Sequence, residues 1–227
     1  MNHVRIALFV SMVLLVAPVV VEAQQGTKAY KALGLKPQDV LTGTVVKARV
    51  LPSNQEQVIC IATYLTGKGD KGDAVNVRLG VFDNFGEGLV TLYTRDFGKD
   101  EEGYVANGDL LVMDIDRDGV SEIIVSFDDF SDPLIEQRLG EIILHDGQKL
   151  DTAWVGLMEY DATKAARDLP AERRDRYVRE FDWGNTLRTR GATLFVKKNV
   201  IAVAGEMLPE PRVVEETYDL RGEPDNW

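Results

Sequence analysis

Residues 110–127 read Leu-Leu-Val-Met-Asp-Ile-Asp-Arg-Asp-Gly-Val-Ser-Glu-Ile-Ile-Val-Ser-Phe. Asp114, Asp116 and Asp118 stand at alternate positions, Gly119 follows at once, and Glu122 lies four residues past Asp118. A hard cation such as calcium takes about six to eight oxygen ligands in a flexible shell, a demand that carboxylates spaced along one tight loop can meet. With Asp114 counted as position one, carboxylates fall at positions one, three, five and nine, and the carbonyl of Val120 would serve position seven. Gly119 stands where such a loop must turn sharply, at a positive φ that glycine adopts without steric cost.

The flanks decide which kind of loop this is. An EF-hand needs a helix on each side and a bidentate glutamate at position twelve. Position twelve here is Val125, and the flanking runs Leu110–Met113 and Ile123–Phe127 are aliphatic and β-branched, the composition of strands. The EF-hand is excluded, and the element is a strand–loop–strand unit.

That unit resembles the FG-GAP or VCBS-type repeat, the blade of integrin-like β-propellers, whose pattern is a strand, Asp-x-Asp-x-Asp-Gly-x-x-Asp, and a second strand. Asp114, Asp116, Asp118, Gly119 and the apolar Ile123-Ile124-Val125 fall in place, and Glu122 is one methylene longer than the usual aspartate. The resemblance covers about one blade, Gly108 to Gly156. It implies bound Ca2+, with Asp114, Asp116, Asp118, Val120 and Glu122 as the metal shell. The alternative is a solvated Asp-rich hairpin that binds nothing.

Composition narrows the function classes. At 227 residues the chain has room for one substantial core or two small ones. Its 37 acidic against 26 basic residues leave a formal charge of -11, which repels phosphate backbones and argues against nucleic acid as a partner. At the N-terminus, Arg5 precedes an almost wholly apolar run, Ile6 to Val21, and Val21-Glu22-Ala23 supplies the small residues of a cleavage site. This predicts a signal peptide over 1–23, a secreted or periplasmic location, and no stable membrane span after cleavage. An uncleaved anchor is the alternative, but the apolar run falls short of about 18–20 residues and contains Ser11 and Pro18. Cys60 is the single cysteine, so no intramolecular disulfide forms, and its neighbours Val58, Ile59, Ile61 and Ala62 predict a buried, inert thiol.

The expected organisation is a polar leader over 24–43, a single β-rich domain over 44–205, and an extended tail over 206–227. Strands are predicted over Thr44–Leu51, Gln57–Leu65, from Val75 onward with period-two alternation, and over Leu89–Thr94. The glycine-rich Thr66–Asp73 reads as a long turn, a degenerate copy of the calcium loop. Lys99–Asn107 reads as a solvated acidic loop. Glu141–Leu144 and Leu150–Leu157 form a hairpin around Asp146-Gly147, with His145 as a surface residue beside it. The carboxylates of Phe127–Asp132 either line the calcium rim or serve a turn. Pro170 opens a helix that continues over Ala171–Phe181, its Arg173, Arg174, Arg176 and Arg179 pairing with neighbouring carboxylates. A last hairpin, Thr193–Val196 and Asn199–Ala204, turns at Lys197-Lys198-Asn199.

The fold class is therefore mainly β, as propeller-like blades or a β-sandwich, with one short helix near the C-terminal third. Val58–Thr94 and Leu110–Val155 share a loose strand–loop–strand–turn–strand plan, as two blades would. A closed propeller takes about four to eight blades, more than the chain has room for beyond three or four. The leading function is a calcium-binding β-repeat module, binding or structural, with a protein or carbohydrate ligand. The alternatives are a secreted hydrolase using acidic residues and a subunit of a cell-surface assembly. No nucleophile paired with a base, and no histidine pair for a metal, is present to favour catalysis.

Overall fold

The computed structural model describes residues 23–67, 74–85, 88–98, 105–165, 168–181 and 193–220. Residues 1–22 of the expected signal peptide (1–23), 68–73 of the Gly-rich turn, 99–104 of the expected acidic loop and 221–227 of the expected tail lie outside the described residues. The chain is mainly β, with two antiparallel sheets. The first is a four-stranded meander of β1 (Val40–Ala48), β2 (Gln57–Leu65), β3 (Val75–Phe85) and β4 (Gly88–Asp96). The second has seven strands in sequence order: β5 (Val105–Met113), β6 (Glu122–Asp129), β7 (Glu136–His145), β8 (Leu150–Asp161), β9 (Arg176–Phe181), β10 (Thr193–Val203) and β11 (Glu206–Asp219).

The two sheets pack face to face as a sandwich. Ile59 and Ile61 of β2 and Val77, Leu79 and Val81 of β3 meet Ile123, Val125 and Phe127 of β6 and Ile143 of β7 in one buried cluster. Side chains on a strand alternate between faces, so the intervening Val58, Cys60, Ala62 and Tyr64 of β2 point the other way. There they are covered by Ala29, Leu33 and Leu35, at and just beyond the end of helix α1 (Ala23–Ala32). Covered on both sides, β2 is buried along nearly its whole length. Burying a leucine- or isoleucine-sized side chain contributes about 1.5–3 kcal/mol, which is why these two apolar strands sit at the centre of the sandwich.

The one short α-helix thus lies at the N-terminal end of the described chain, where a loose leader is expected, and not over 171–181. It stops in a Schellman arrangement: Leu35 N–H bonds to Tyr30 O at 2.9 Å, Gly34 N–H to Lys31 O at 3.0 Å, and Gly34 takes φ +76°. Pro37 follows. A helix this short is marginal in water, and its docking on β2 supplies what its sequence lacks.

Residues 171–181 correct the helix expected there. Only Ala171–Arg173 form a single 3-10 turn, and Arg176–Phe181 run on as β9. The reason is tertiary. Tyr177, Val178 and Phe181 fit a strand as well as a helix, and both β8 and β10 offer edges to pair with. β9 meets β8 only through Arg176–Val178 opposite Glu159–Asp161. Leu194 and Val196 of β10 share one buried cluster with Ile124, Ile142, Leu144 and Trp154 of β6–β8.

The expected final hairpin is also corrected. Thr193–Val203 form one continuous strand through Lys197-Lys198-Asn199, and the turn falls later, at Ala204-Gly205, both with positive φ. Lys197–Asn199 stay in the strand because they pair on both sides, with Val178–Glu180 of β9 and Val213–Glu215 of β11, and the Lys198 ammonium rests 3.9 Å from the centre of the Tyr177 ring. The extended tail is extended, but as β11, paired with β10 along most of its length. The β7–β8 hairpin turns at Asp146-Gly147, where Asp146 N–H meets Lys149 O at 3.0 Å and Gly147 N–H donates to Nδ1 of a partly exposed His145 at 3.1 Å. Among the described residues no helix is long and apolar enough to cross a membrane.

Candidate metal centre

Residues 114–121 connect β5 to β6, and Met113 still pairs with Glu122 in the ladder below them. The loop is anchored from inside. Ile115, 2% exposed, drops into the cluster of Ile124, Leu144, Trp154 and Leu194, which leaves its neighbours Asp114 and Asp116 on the opposite side. The Asp-x-Asp spacing therefore has a structural half, because the residue between the carboxylates is a core residue.

The turn itself is built from carboxylate-to-amide bonds. Gly119 N–H donates to Asp114 Oδ2 at 2.9 Å, Asp118 N–H to Asp116 Oδ1 at 3.1 Å, and Val120 N–H to Asp118 Oδ1 at 2.7 Å. Such local bonds are how aspartates stabilise tight turns. Gly119 has φ +85° as expected, and Arg117 also enters the left-handed region at φ +63°. The loop closes where Glu122 Oε2 accepts the N–H of Ile115 at 2.6 Å.

Asp114, Asp116 and Glu122 each offer a carboxylate oxygen within 4.8 Å of the others. Calcium–oxygen contacts of about 2.3–2.6 Å allow oxygens on one ion to lie as far apart as about 5 Å, so this spread suits a single ion. Asp114 Oδ1 is buried and accepts no hydrogen bond. Buried acceptors without partners are rare because they forfeit hydration. Glu122 is 3% exposed, and its carboxyl is pushed up to about 7. Burial is the largest cause, opposed by the Ile115 bond and reinforced by Asp116, Asp114 and Asp118. An anion so held is stabilised by a cation beside it. The donor set fits a hard divalent ion.

Of the five residues expected in the shell, three are thus brought together. Asp118 is not in that group, although it is near enough to raise Glu122; its Oδ1 holds the Val120 amide instead. Val120, half-buried, is placed here by its amide.

The acidic residues of 127–132 do not line this rim. An eight-residue β6 at about 3.3 Å per residue sets Asp129 about 23 Å from Glu122. Asp128 pairs with Arg138 at 2.6 Å, Asp129 holds Ser131 N–H and Gln137, and Asp132 holds Leu134 N–H. They are turn and ion-pair residues of the opposite end. The arginines of 173–179 are mostly paired as expected: Arg173 with Asp132, Arg176 with Asp161, and Arg179 with Glu216. Arg174 donates instead to Leu169 O.

One contact to the loop has no signal in the local sequence. Arg49, between β1 and β2, donates from Nε to the Gly119 carbonyl at 2.7 Å and from Nη2 to the same oxygen. Ser121 N–H donates back to Arg49 O at 2.7 Å. No family, curated protein or solved structure matches this chain.

Proposed function

We propose that this chain is an exported calcium-binding β-sandwich module, binding or structural rather than catalytic, with the FG-GAP-like loop 114–122 as its cation site. The observation that carries the reading is the convergence of Asp114, Asp116 and Glu122 within 4.8 Å together with the buried, unpartnered Asp114 Oδ1. In this reading Asp114, Asp116 and Glu122 neutralise the ion, Asp118 orders the turn and joins the shell directly or through water, and the Val120 carbonyl completes the protein ligands. Export is supported by the apolar run before Val21-Glu22-Ala23.

The ion's role is to order a loop, not to carry the fold. Extracellular calcium modules bind at about 10⁻⁴–10⁻³ M. At about 1 mM calcium that affinity contributes only about 0.4–1.4 kcal/mol by mass action, small beside the buried core. Calcium titration of the mature protein by calorimetry, paired with thermal melts, tests the reading. Heat of binding in the millimolar range and a melting shift of a few degrees are expected. No binding at millimolar calcium overturns it.

A further inference from the structure

We propose that Arg49 is a positioning residue for the cation loop, a claim that rests on the calcium reading of that loop. Arg49 belongs to the other sheet of the sandwich, on the connection that follows β1. Its guanidinium reaches the loop at the Gly119 carbonyl, and its own carbonyl takes the Ser121 amide. The loop is therefore held at its tightest turn and again where it enters β6, both times from outside its own sheet.

Three features make this tether specific. Gly119 serves it twice, since a Cβ at that position would lie 2.6 Å from Arg49 Nη2 while the φ of +85° already disfavours any side chain. Arg117 and Gly119 both hold left-handed backbone, which persists where surrounding contacts over-determine it. Finally, the guanidinium bonds just described go to a backbone carbonyl beside the acidic group, so a cation is brought to the loop without engaging Asp114 Oδ1, which stays unpartnered. Fixing the Gly119 carbonyl fixes the peptide that leads into Val120, whose own carbonyl is the backbone ligand of the proposed shell. Holding the loop before the ion arrives removes part of the ordering cost of binding.

Charge and positioning predict opposite signs. As a mere positive charge near the site, Arg49 would oppose calcium, so Arg49→Lys would bind as the wild type does and Arg49→Met more tightly. As a positioning residue, both variants bind more weakly, because lysine cannot reproduce the guanidinium fork. The expected loss is about fivefold or more, the worth of about one net hydrogen bond. Calorimetric calcium titration of wild type, Arg49→Lys and Arg49→Met, each shown folded by its melt, decides this. Amide hydrogen exchange of Ser121 in calcium-free protein is expected to quicken in Arg49→Met, a readout that needs no ion. Equal or tighter binding by Arg49→Lys overturns the positioning role while the calcium reading stands. A wild type that binds no calcium overturns the calcium reading and this inference with it.

Discussion

Glu122, the first residue of β6, accepts the backbone N–H of Ile115, the second residue of the loop, at 2.6 Å, and both residues are almost fully buried. One carboxylate thus does two things. It closes the loop as a hydrogen-bond acceptor, and it contributes charge to the group formed with Asp114 and Asp116.

The two roles separate by substitution. Glu122→Gln keeps an acceptor for Ile115 N–H and removes the charge, whereas Glu122→Ala removes both and leaves a buried amide unpaired. In calcium-free protein near neutral pH, chemical denaturation is expected to find the glutamine variant more stable than the alanine variant by about 1–3 kcal/mol. Equal stabilities would show that the Ile115 bond contributes nothing.

Asp116→Ala tests the ion. It is expected to weaken calcium binding about tenfold or more, about 1.4 kcal/mol, because one charged ligand is lost. Without calcium the same change is expected to be neutral or slightly stabilising, since it relieves repulsion among Asp114, Asp116 and Glu122. Melts with calcium and with chelator check the reversal of sign. A hairpin that merely holds water shows none.

Glu141 gives a pH dependence away from the loop. It is 3% exposed, it pairs with Arg95 at 3.1 Å, and it accepts the Thr152 hydroxyl. Burial outweighs these partners and raises its pKa. A carboxyl raised on folding holds its proton more tightly in the native state, so its contribution to stability is complete below the unfolded pKa and is lost as pH rises through the folded one. Glu141→Gln removes that loss. The stability difference between Glu141→Gln and wild type is therefore expected to move in favour of the variant as pH rises from the carboxylate range to neutral, as urea titrations at several pH values would show. A difference that moves the other way, or stays flat, sinks the claim.

Cys60 is expected to resist labelling. It is fully buried on the face of β2 covered by Ala29 of α1 and by Leu33 and Leu35 beyond it, and burial pushes its thiol up to about 12, so almost no thiolate exists at neutral pH. Native protein is expected to react with a thiol reagent only as fast as it unfolds. Rapid labelling in buffer would contradict the packing of Leu33 and Ala29 on that face.

The sequence by itself determined the features that depend on neighbours along the chain. The apolar run Gln57–Leu65 is β2 at both ends because it is short, rich in β-branched residues and bounded by turn residues. Asp146-Gly147 makes its turn because glycine alone takes φ +104° cheaply, and Asp114-x-Asp116-x-Asp118-Gly119 makes its loop because its bonds span two to five residues. Helix α1 was not legible: its stretch is polar and short and reads as a leader, and it is docking on β2 that makes it helical. Tertiary structure alone decided the rest. Tyr177-Val178 became strand because β8 and β10 presented edges to pair with, and Lys197-Lys198-Asn199 stayed extended because β9 and β11 pair with it on either side. Asp129, close to Glu122 in sequence, was carried to the far end of β6, while Arg49, distant in sequence, was brought onto Gly119. The physical reason is range: local bonds and steric limits act within a few residues and are written there, whereas pairing, packing and tethering act between whichever surfaces the fold brings into contact.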